Sequence, residues 1–486
     1  MKKKTWQRRT LKYGLVGLTL YLLYIVAFGL IPYAFFPEVN QQFKDSFDSA
    51  SFYGSEAPSV DRAGIMEMGE AGLEARVGLI HAAQSSLDVS YYSTHWGDST
   101  QVFFGALLDA ANRGVKVRFL IDGVAHHLTS QAKTTAYALV QNPNVELKFY
   151  NPVQLLKPWT FNGRLHDKYI IVDDTFVLLG GRNIGDKYFE MEGYNKSYSL
   201  DRDVLVYNTA AGTSDSAQSV IPRVKLYFGK IWGLNTSKHT YGKLSAVQTA
   251  AGQLQTERLV ETYQHFIENK PYLVSEHINA EKITVPTAKI SFIHNPSYTL
   301  KKEPLLWYQL SELILNADHK VTIQSPYTVL NRTMENTLRQ VGNKIEQFSL
   351  LTNSQASSPN VLAYSSYLAS RTALADTFDQ IYEYQGDHSL HGKSYLIDDD
   401  LSLVGSYNLD LRSTYINTEV MLVVHGRQFH DRLEDHMSAY QTASVVYDKK
   451  NGYSDSSQIP PRDIPWYKKW ISYPLQKISW LYKFLL

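Results

Sequence analysis

Leu165-His166-Asp167-Lys168-Tyr169-Ile170-Ile171-Val172-Asp173, followed by Gly180-Gly181-Arg182-Asn183, is written a second time in this chain of 486 residues. The second copy reads Leu390-His391-Gly392-Lys393-Ser394-Tyr395-Leu396-Ile397-Asp398 and leads to Gly405-Ser406-Tyr407-Asn408. Both spell H-x-K-x4-D, then G-[GS]-x-N after a gap of six residues. One short pattern of this kind is weak evidence; two copies at matching places in a repeat are strong evidence.

The repeat extends upstream. Residues 79–83 and 87–92 read as a helix end and a strand, and they recur at an offset of 234 as 313–317 and 321–326. Helix-period stretches follow at 102–113 and 333–341, then apolar strands at 117–122 and 348–352. Downstream, Arg202-Asp203-Val204-Leu205 aligns with Thr418-Glu419-Val420-Met421, so each copy ends in an acid leading an apolar strand. Strands alternating with helices predict α/β layers. The expected organisation is two similar α/β domains, 65–232 and 301–445, related by a pseudo-twofold axis. Between them lies a polar insertion, 233–300, whose Thr-, Ser-, Gly- and Ala-rich part 236–252 reads as a loop, whereas 220–232 reads as a helix closing the first half.

Residues i and i+2 of a strand share a face, so His166 projects with Lys168, and His391 with Lys393. Asp173 and Asp398 fall at the opposite parity in acidic turns, which suits bracing better than contact with substrate. A His and a Lys on apolar strands need a reason, and two such pairs about a twofold axis make a phosphodiester site. One neutral imidazole can attack phosphorus while the other, protonated, gives a proton to the leaving alcohol. The lysines would stabilise charge on the non-bridging oxygens, with Asn183 and Asn408 as phosphate-binding donors. Asp203 and Glu419 stand where they can hold a histidine's far nitrogen and fix its tautomer, and Asp201 is the parity-matched alternative to Asp203. The scheme runs through a phospho-histidine and calls for no metal and no cofactor. His126-His127 and Asp122-Gly123 read as loop features, and Asp186 and Arg412 as either site lining or ion pairs.

Composition narrows the rest. With no cysteine there are no disulfides, thiolate metal sites or thiol nucleophiles. Residues 1–12 carry a block of +6 and residues 466–486 a block of +4, which leaves −9 on 13–465 out of a total of +1. Such a body is a poor polyanion binder, so nucleic acid is not an expected partner. Residues 13–37 are uncharged and apolar, long enough to span a bilayer. A cleaved signal peptide would have a shorter apolar core and a small-x-small site, whereas Phe35-Phe36-Pro37 follows here, so an uncleaved anchor is the better reading. The basic residues before it predict 1–12 inside and everything from about residue 38, the linker 38–64 included, outside. The tail 446–486 mixes Trp, Tyr and Lys; either it lies in a membrane interface or it packs on the protein's own surface, and Pro474 is expected to break it in two.

With its doubled H-x-K-x4-D motif, the chain resembles the phospholipase D superfamily. The runs Gly180-Gly181-Arg182-Asn183-Ile184-Gly185-Asp186-Lys187-Tyr188-Phe189 and Gly405-Ser406-Tyr407-Asn408-Leu409-Asp410-Leu411-Arg412-Ser413 are similar to the C-type branch of bacterial cardiolipin synthases. The resemblance covers about residues 65–445. It implies phospholipase D-type α/β sandwich domains packed face to face with the site between them. The catalytic set it implies is His166, Lys168, Asp173, His391, Lys393 and Asp398, with His166 as nucleophile and His391 as acid/base. The expected activity is transfer of a phosphatidyl group to phosphatidylglycerol at a bacterial inner membrane, with the body on the periplasmic side. Phosphatidylethanolamine is the other candidate donor, and a protein partner stays open. The alternative is hydrolysis by the same residues, as a phospholipase D or, less well suited, a nuclease. One anchor helix, where another branch of cardiolipin synthases has two, is a departure from that pattern.

Overall fold

The computed structural model describes residues 2–55, 57–275, 279–450, 452–454, 457 and 459–486. The side chains of Lys2, Lys3, Lys4, Arg8 and Arg9 in the basic segment lie outside the described residues. So do residues 276–278 of the expected insertion and 451, 455, 456 and 458 of the tail.

Two nine-stranded sheets form the body, and their central strands follow the same order. In the first, Asp61–Met66, Asp203–Asn208, Phe176–Gly180, Tyr169–Val172, Ser86–Tyr91, Lys116–Asp122 and Val145–Tyr150 lie side by side. In the second the matching run is Lys289–His294, Val420–His425, Leu401–Gly405, Ser394–Ile397, Lys320–Gln324, Gln347–Asn353 and Gln380–Tyr384. The last three strands of each run are mutually parallel and the others antiparallel. Parallel neighbours need crossover helices, and Asp98–Asn112 and Arg332–Gly342 supply them at the places their periodicity predicts.

Sheets buried on both faces read as near-continuous apolar runs, as Tyr169–Val172 and Ser394–Ile397 do. Helices Gly69–Ala82, Asp98–Asn112 and Lys133–Gln141 pack on the outer face of the first sheet. Leu305–Leu315, Arg332–Gly342 and Val361–Leu374 do the same for the second. Between the sheets one apolar core is shared: Val177, Val204 and Val206 meet Val404, Leu422 and Val424, with helices Ile221–Trp232 and Arg427–Thr442 completing it. The chain thus folds into two α/β sheet domains joined through a common core.

Three sequence expectations change. The segment read as a loop at 236–252 gives way to a helix, Ala246–Asn269, opened by a capping box between Ser245 and Gln248. Its buried stripe is Gly252, Gln255, Leu259 and Tyr263, so the first turns, buried on a glycine and a glutamine, do not read as amphipathic. It lies so close to Asp98–Asn112 that a Cβ on Gly105 would sit 2.1 Å from the Leu259 carbonyl oxygen. The second half begins before residue 301, because Lys289–His294 already pairs with Val420–His425. In the tail, Pro474 lies inside the last turn of helix Trp466–Lys477, and the break comes at Ile478. A proline there loses one hydrogen bond near a frayed end, which a helix tolerates.

Residues Thr10–Ala34 form one continuous apolar helical stretch, long enough to cross a membrane, that loosens into π and 3-10 turns from Val26 on toward Pro32.

Candidate active site

Each histidine is fixed by a segment of the opposite half. Leu165 bridges Thr418, and the His166 N–H donates to Thr418 Oγ1 at 3.1 Å. Correspondingly, Ser389–Leu390 pairs in parallel with Ser199–Leu200, and the His391 N–H donates to the Leu200 carbonyl at 2.6 Å. These pairings bring the acids that follow residues 200 and 418 onto the histidines. His166 Nδ1 lies 2.9 Å from Glu419 Oε2 and 2.8 Å from Oε1. His391 Nδ1 makes a short contact with Asp201 Oδ2. A ring whose Nδ1–H is given to a carboxylate keeps Nε2 for chemistry, so both rings have a fixed tautomer.

Lys168 and Lys393 are buried, and each ammonium donates to the backbone carbonyl of its own histidine. Lys393 Nζ also lies 2.8 Å from His391 Nδ1 and 3.8 Å from Asp201. The field crosses the halves: Lys393 acts on His166 and Lys168 on His391. Burial and these cations hold His166 well below the usual imidazole range and bring His391 down to about 4. Burial also lowers Lys168 to about 7. It raises Glu419 to about 7 against the opposing pull of Lys168 and two seryl hydroxyls. Asp201 is held well below the ordinary carboxylate range, because Lys393 and His391 outweigh its burial. Two imidazoles, two lysines and two acidic side chains therefore meet at the junction of the halves. Such a cluster can attack phosphorus, pass a proton to an alcohol and neutralise phosphoryl oxygens.

The other sequence candidates fall in different places. Asp203 does not orient a histidine: its carboxylate sits between Arg76 Nη1 at 2.9 Å and Arg182 Nη1 at 2.8 Å. Asp201, two residues earlier on the same face, contacts His391 instead. Asp173 and Asp398 also leave the catalytic set. Each sits at the far end of its strand, at positive φ, about 20 Å of extended chain from its histidine. Asp173 accepts from the N–H groups of Gln84, Ser85 and Ser86, and Asp398 from those of Asp318, His319 and Lys320. These contacts brace the turn that sets the strand register.

Asn183 is buried, donating from Nδ2 to the Tyr188 hydroxyl at 3.1 Å. Asn408 is buried too, its Oδ1 without a partner among the described residues. Asp186 caps helix Asp98–Asn112 through the N–H and hydroxyl of Ser99. Arg412 makes no ion pair among the described residues; it donates to the carbonyls of Asn162 and Leu485. Asp122 accepts from Val124, Ala125 and Leu165, and His126 from the Leu128 N–H, all structural bonds.

Among the described residues, no group of three His, Asp or Glu side chains is arranged to hold a metal. Sequence reasoning missed Tyr92, whose ring meets His166 edge-on at 5.2 Å and lies 5.4 Å from Lys168 Nζ. Its place just past a parallel strand, at the carboxyl end where α/β sites gather, was the available signal.

Comparison with known proteins agrees with this geometry. The family model described as "Cardiolipin synthase, PLD-like domain" matches residues 77–211 and again 310–440. A Helicobacter pylori protein of unassigned function is 30% identical over 419 residues, covering 78% of this chain and 80% of its own. Cardiolipin synthase C of Escherichia coli is 26% identical over 387 residues, covering 72% and 78%. Among solved structures, phosphatidylserine synthase of Haemophilus influenzae superposes with a TM-score of 0.62 at 14% identity, over 92% of this chain and 100% of that one.

Proposed function

We propose, from the premise that this chain belongs to the cardiolipin synthase family of phospholipase D-like domains, that it is a membrane-anchored phosphatidyltransferase making cardiolipin. At family level the relatives support a phosphodiester-transferring enzyme with phospholipid substrates, and the N-terminal apolar helix fits a membrane-anchored protein. The observation that carries the finer reading is the crossed pair of histidine–carboxylate contacts beside two buried lysines.

In this reading Nε2 of His166 attacks the phosphorus of a phosphatidylglycerol. The phosphorus–oxygen bond to the headgroup glycerol breaks, and His391 gives that oxygen a proton. A glycerol hydroxyl of a second phosphatidylglycerol then attacks the phosphatidyl-histidine. His391 takes its proton, the phosphorus–nitrogen bond breaks, and cardiolipin leaves. His166 suits the nucleophile, because it stays neutral at working pH. Of the two, His391 suits the acid, because the ionised Asp201 beside it opposes the burial and the Lys393 charge that bring it down to about 4. Lys168, Lys393, Asn183 and Asn408 stabilise the phosphoryl oxygens. The charge bias of the first twelve residues supports a bacterial inner membrane with the body on the periplasmic side.

The test is lipid mass spectrometry on cardiolipin-free bacterial cells expressing wild type, His166→Ala or His391→Ala. Cardiolipin with the wild type alone is the expected result. Phosphatidic acid without cardiolipin would replace transfer by hydrolysis.

A further inference from the structure

The N-terminal helix does not simply tether the body; a loop of the body runs beside it. The Tyr21 hydroxyl donates to the Leu155 carbonyl at 2.8 Å, and the Tyr24 hydroxyl to the Leu156 carbonyl at 2.9 Å. Further along, Asn162 Nδ2 donates to the Gly29 carbonyl, and the Tyr33 hydroxyl to that of Trp159. Lys12 is the last charge before the span, and Tyr24 lies twelve residue steps further on. That is about 18 Å of helix, too short for a hydrocarbon core of about 30 Å. If the helix spans, Tyr24 lies inside the hydrocarbon and Leu156 lies beside it.

The side chains there are those of a lipid contact: Leu155 is 69% exposed and Leu156 79%. Irregular backbone at membrane depth needs its polar groups satisfied by protein, and the two tyrosines supply donors to these carbonyls. The C-terminal tail meets the same region. Residues Phe484, Leu485 and Leu486 pack in one apolar cluster with Tyr33 and Phe36, where the helix ends. From there helix Trp466–Lys477 and the turn after it hold Trp470 at 76% and Trp480 at 69% exposure.

We propose that the loop 153–156 is a second membrane-embedded element, inserted among the acyl chains of the leaflet where the helix emerges, with Trp470 and Trp480 resting at the surface of that leaflet. The proposal rests on the membrane-anchor reading above. It brings the mouth of the site to the lipid, because Arg412, which acts on His166, bonds the Asn162 carbonyl next to the Gly29 contact.

The absence of cysteine makes a direct test clean. Leu156→Cys, Trp480→Cys, Leu18→Cys and Val247→Cys are each labelled with the fluorophore NBD in the full-length protein. The labelled proteins are reconstituted in vesicles of phosphatidylethanolamine and phosphatidylglycerol, with or without phosphatidylcholine carrying a nitroxide on its acyl chain or its headgroup. Val247, 80% exposed on the helix Ala246–Asn269, is the aqueous control, and Leu18 reports the span itself. Acyl-chain nitroxide should quench the label at 156 about twofold or more, as at 18, and leave 247 unchanged. Headgroup nitroxide should be the stronger quencher at 480. Quenching at 18 with residue 156 behaving like 247 overturns the inserted loop and leaves the anchor standing. No quenching at 18 overturns both.

Discussion

Gly180 pairs with Asp203 in the first sheet, whereas Gly405 pairs with Met421 in the second. The structural partner of Glu419 is therefore Asp201, and that of Asp203 is Met421. Around this shift the halves differ in kind. The first buries a charged triad, Arg76–Asp203–Arg182; the offset of the repeat puts Leu310 at the place of Arg76, and Tyr407 stands at the place of Arg182. The triad is tied to the site, since Arg182 also donates to the backbone carbonyl of Asp201. The acids are seated differently as well. Glu419 accepts from the hydroxyls of Ser406 at 2.5 Å and Ser413 at 2.8 Å. Asp201, one methylene shorter, lies against Gly181, where a Cβ would come within 2.2 Å of Oδ1. One histidine geometry is thus reached once with a glycine and a short acid, and once with a serine and a long one.

The largest effect should come from neutralising the crossed acids. Asp201→Asn or Glu419→Gln removes the group that fixes a histidine's tautomer, and each should slow cardiolipin formation about 10³–10⁴-fold in a reconstituted assay. A variant retaining near wild-type rate would remove that acid from the site.

Next is the triad. Asp203→Met alone gives the first half the residue of the second and leaves two buried guanidinium groups unpaired, which should cost about 3–5 kcal/mol in chemical denaturation. The triple change Arg76→Leu/Arg182→Tyr/Asp203→Met, which copies all three positions, should recover most of that loss. Failure to recover would mean that the charges hold Asp201 in a way packing cannot replace.

A smaller contrast concerns the seats of the acids. Gly181→Ala should lower turnover about 10–100-fold by displacing Asp201, while Ser406→Ala, which only removes a donor to Glu419, should cost less than about 10-fold. Equal effects would break the distinction drawn between the halves.

The smallest effect is in the pH dependence of stability. Burial raises Glu419 from 4.5 to about 7, so the folded chain keeps a proton there that the unfolded chain has already released. This contribution is fully present below pH 4.5 and is lost as the pH rises toward 7. Glu419→Gln removes the ionisation, so its unfolding free energy should fall less steeply than that of the wild type over that window. Asp201, lowered rather than raised, gives the opposite sign: its contribution is lost on acidification.

Much of this was legible in residues alone. The repeat, the α/β layers and the pairing of each His with a Lys came from spacing, because strand parity and helix period are local properties. The helix Ala246–Asn269 was hidden, although its capping box is written in Ser245 and Gln248, because its buried stripe opens on Gly252 and Gln255, and the close approach at Leu259 and Tyr263 is allowed by Gly105 on the other helix. The displaced break in the tail was local too, but Pro474 is penalised only where its missing N–H matters.

By itself the sequence determined that two histidines and two lysines recur in two like domains behind one apolar segment. It could not choose between Asp201 and Asp203, which share a face of one extended segment and differ by two residues. Only the tertiary structure decided, because the choice depends on a contact across the halves. Leu200 pairs with Leu390, so the next residue, Asp201, reaches His391, while Asp203 is carried onto Arg76 and Arg182. Strand parity fixes which face a carboxylate occupies; which cation or imidazole it meets there is set by register between segments 190 residues apart.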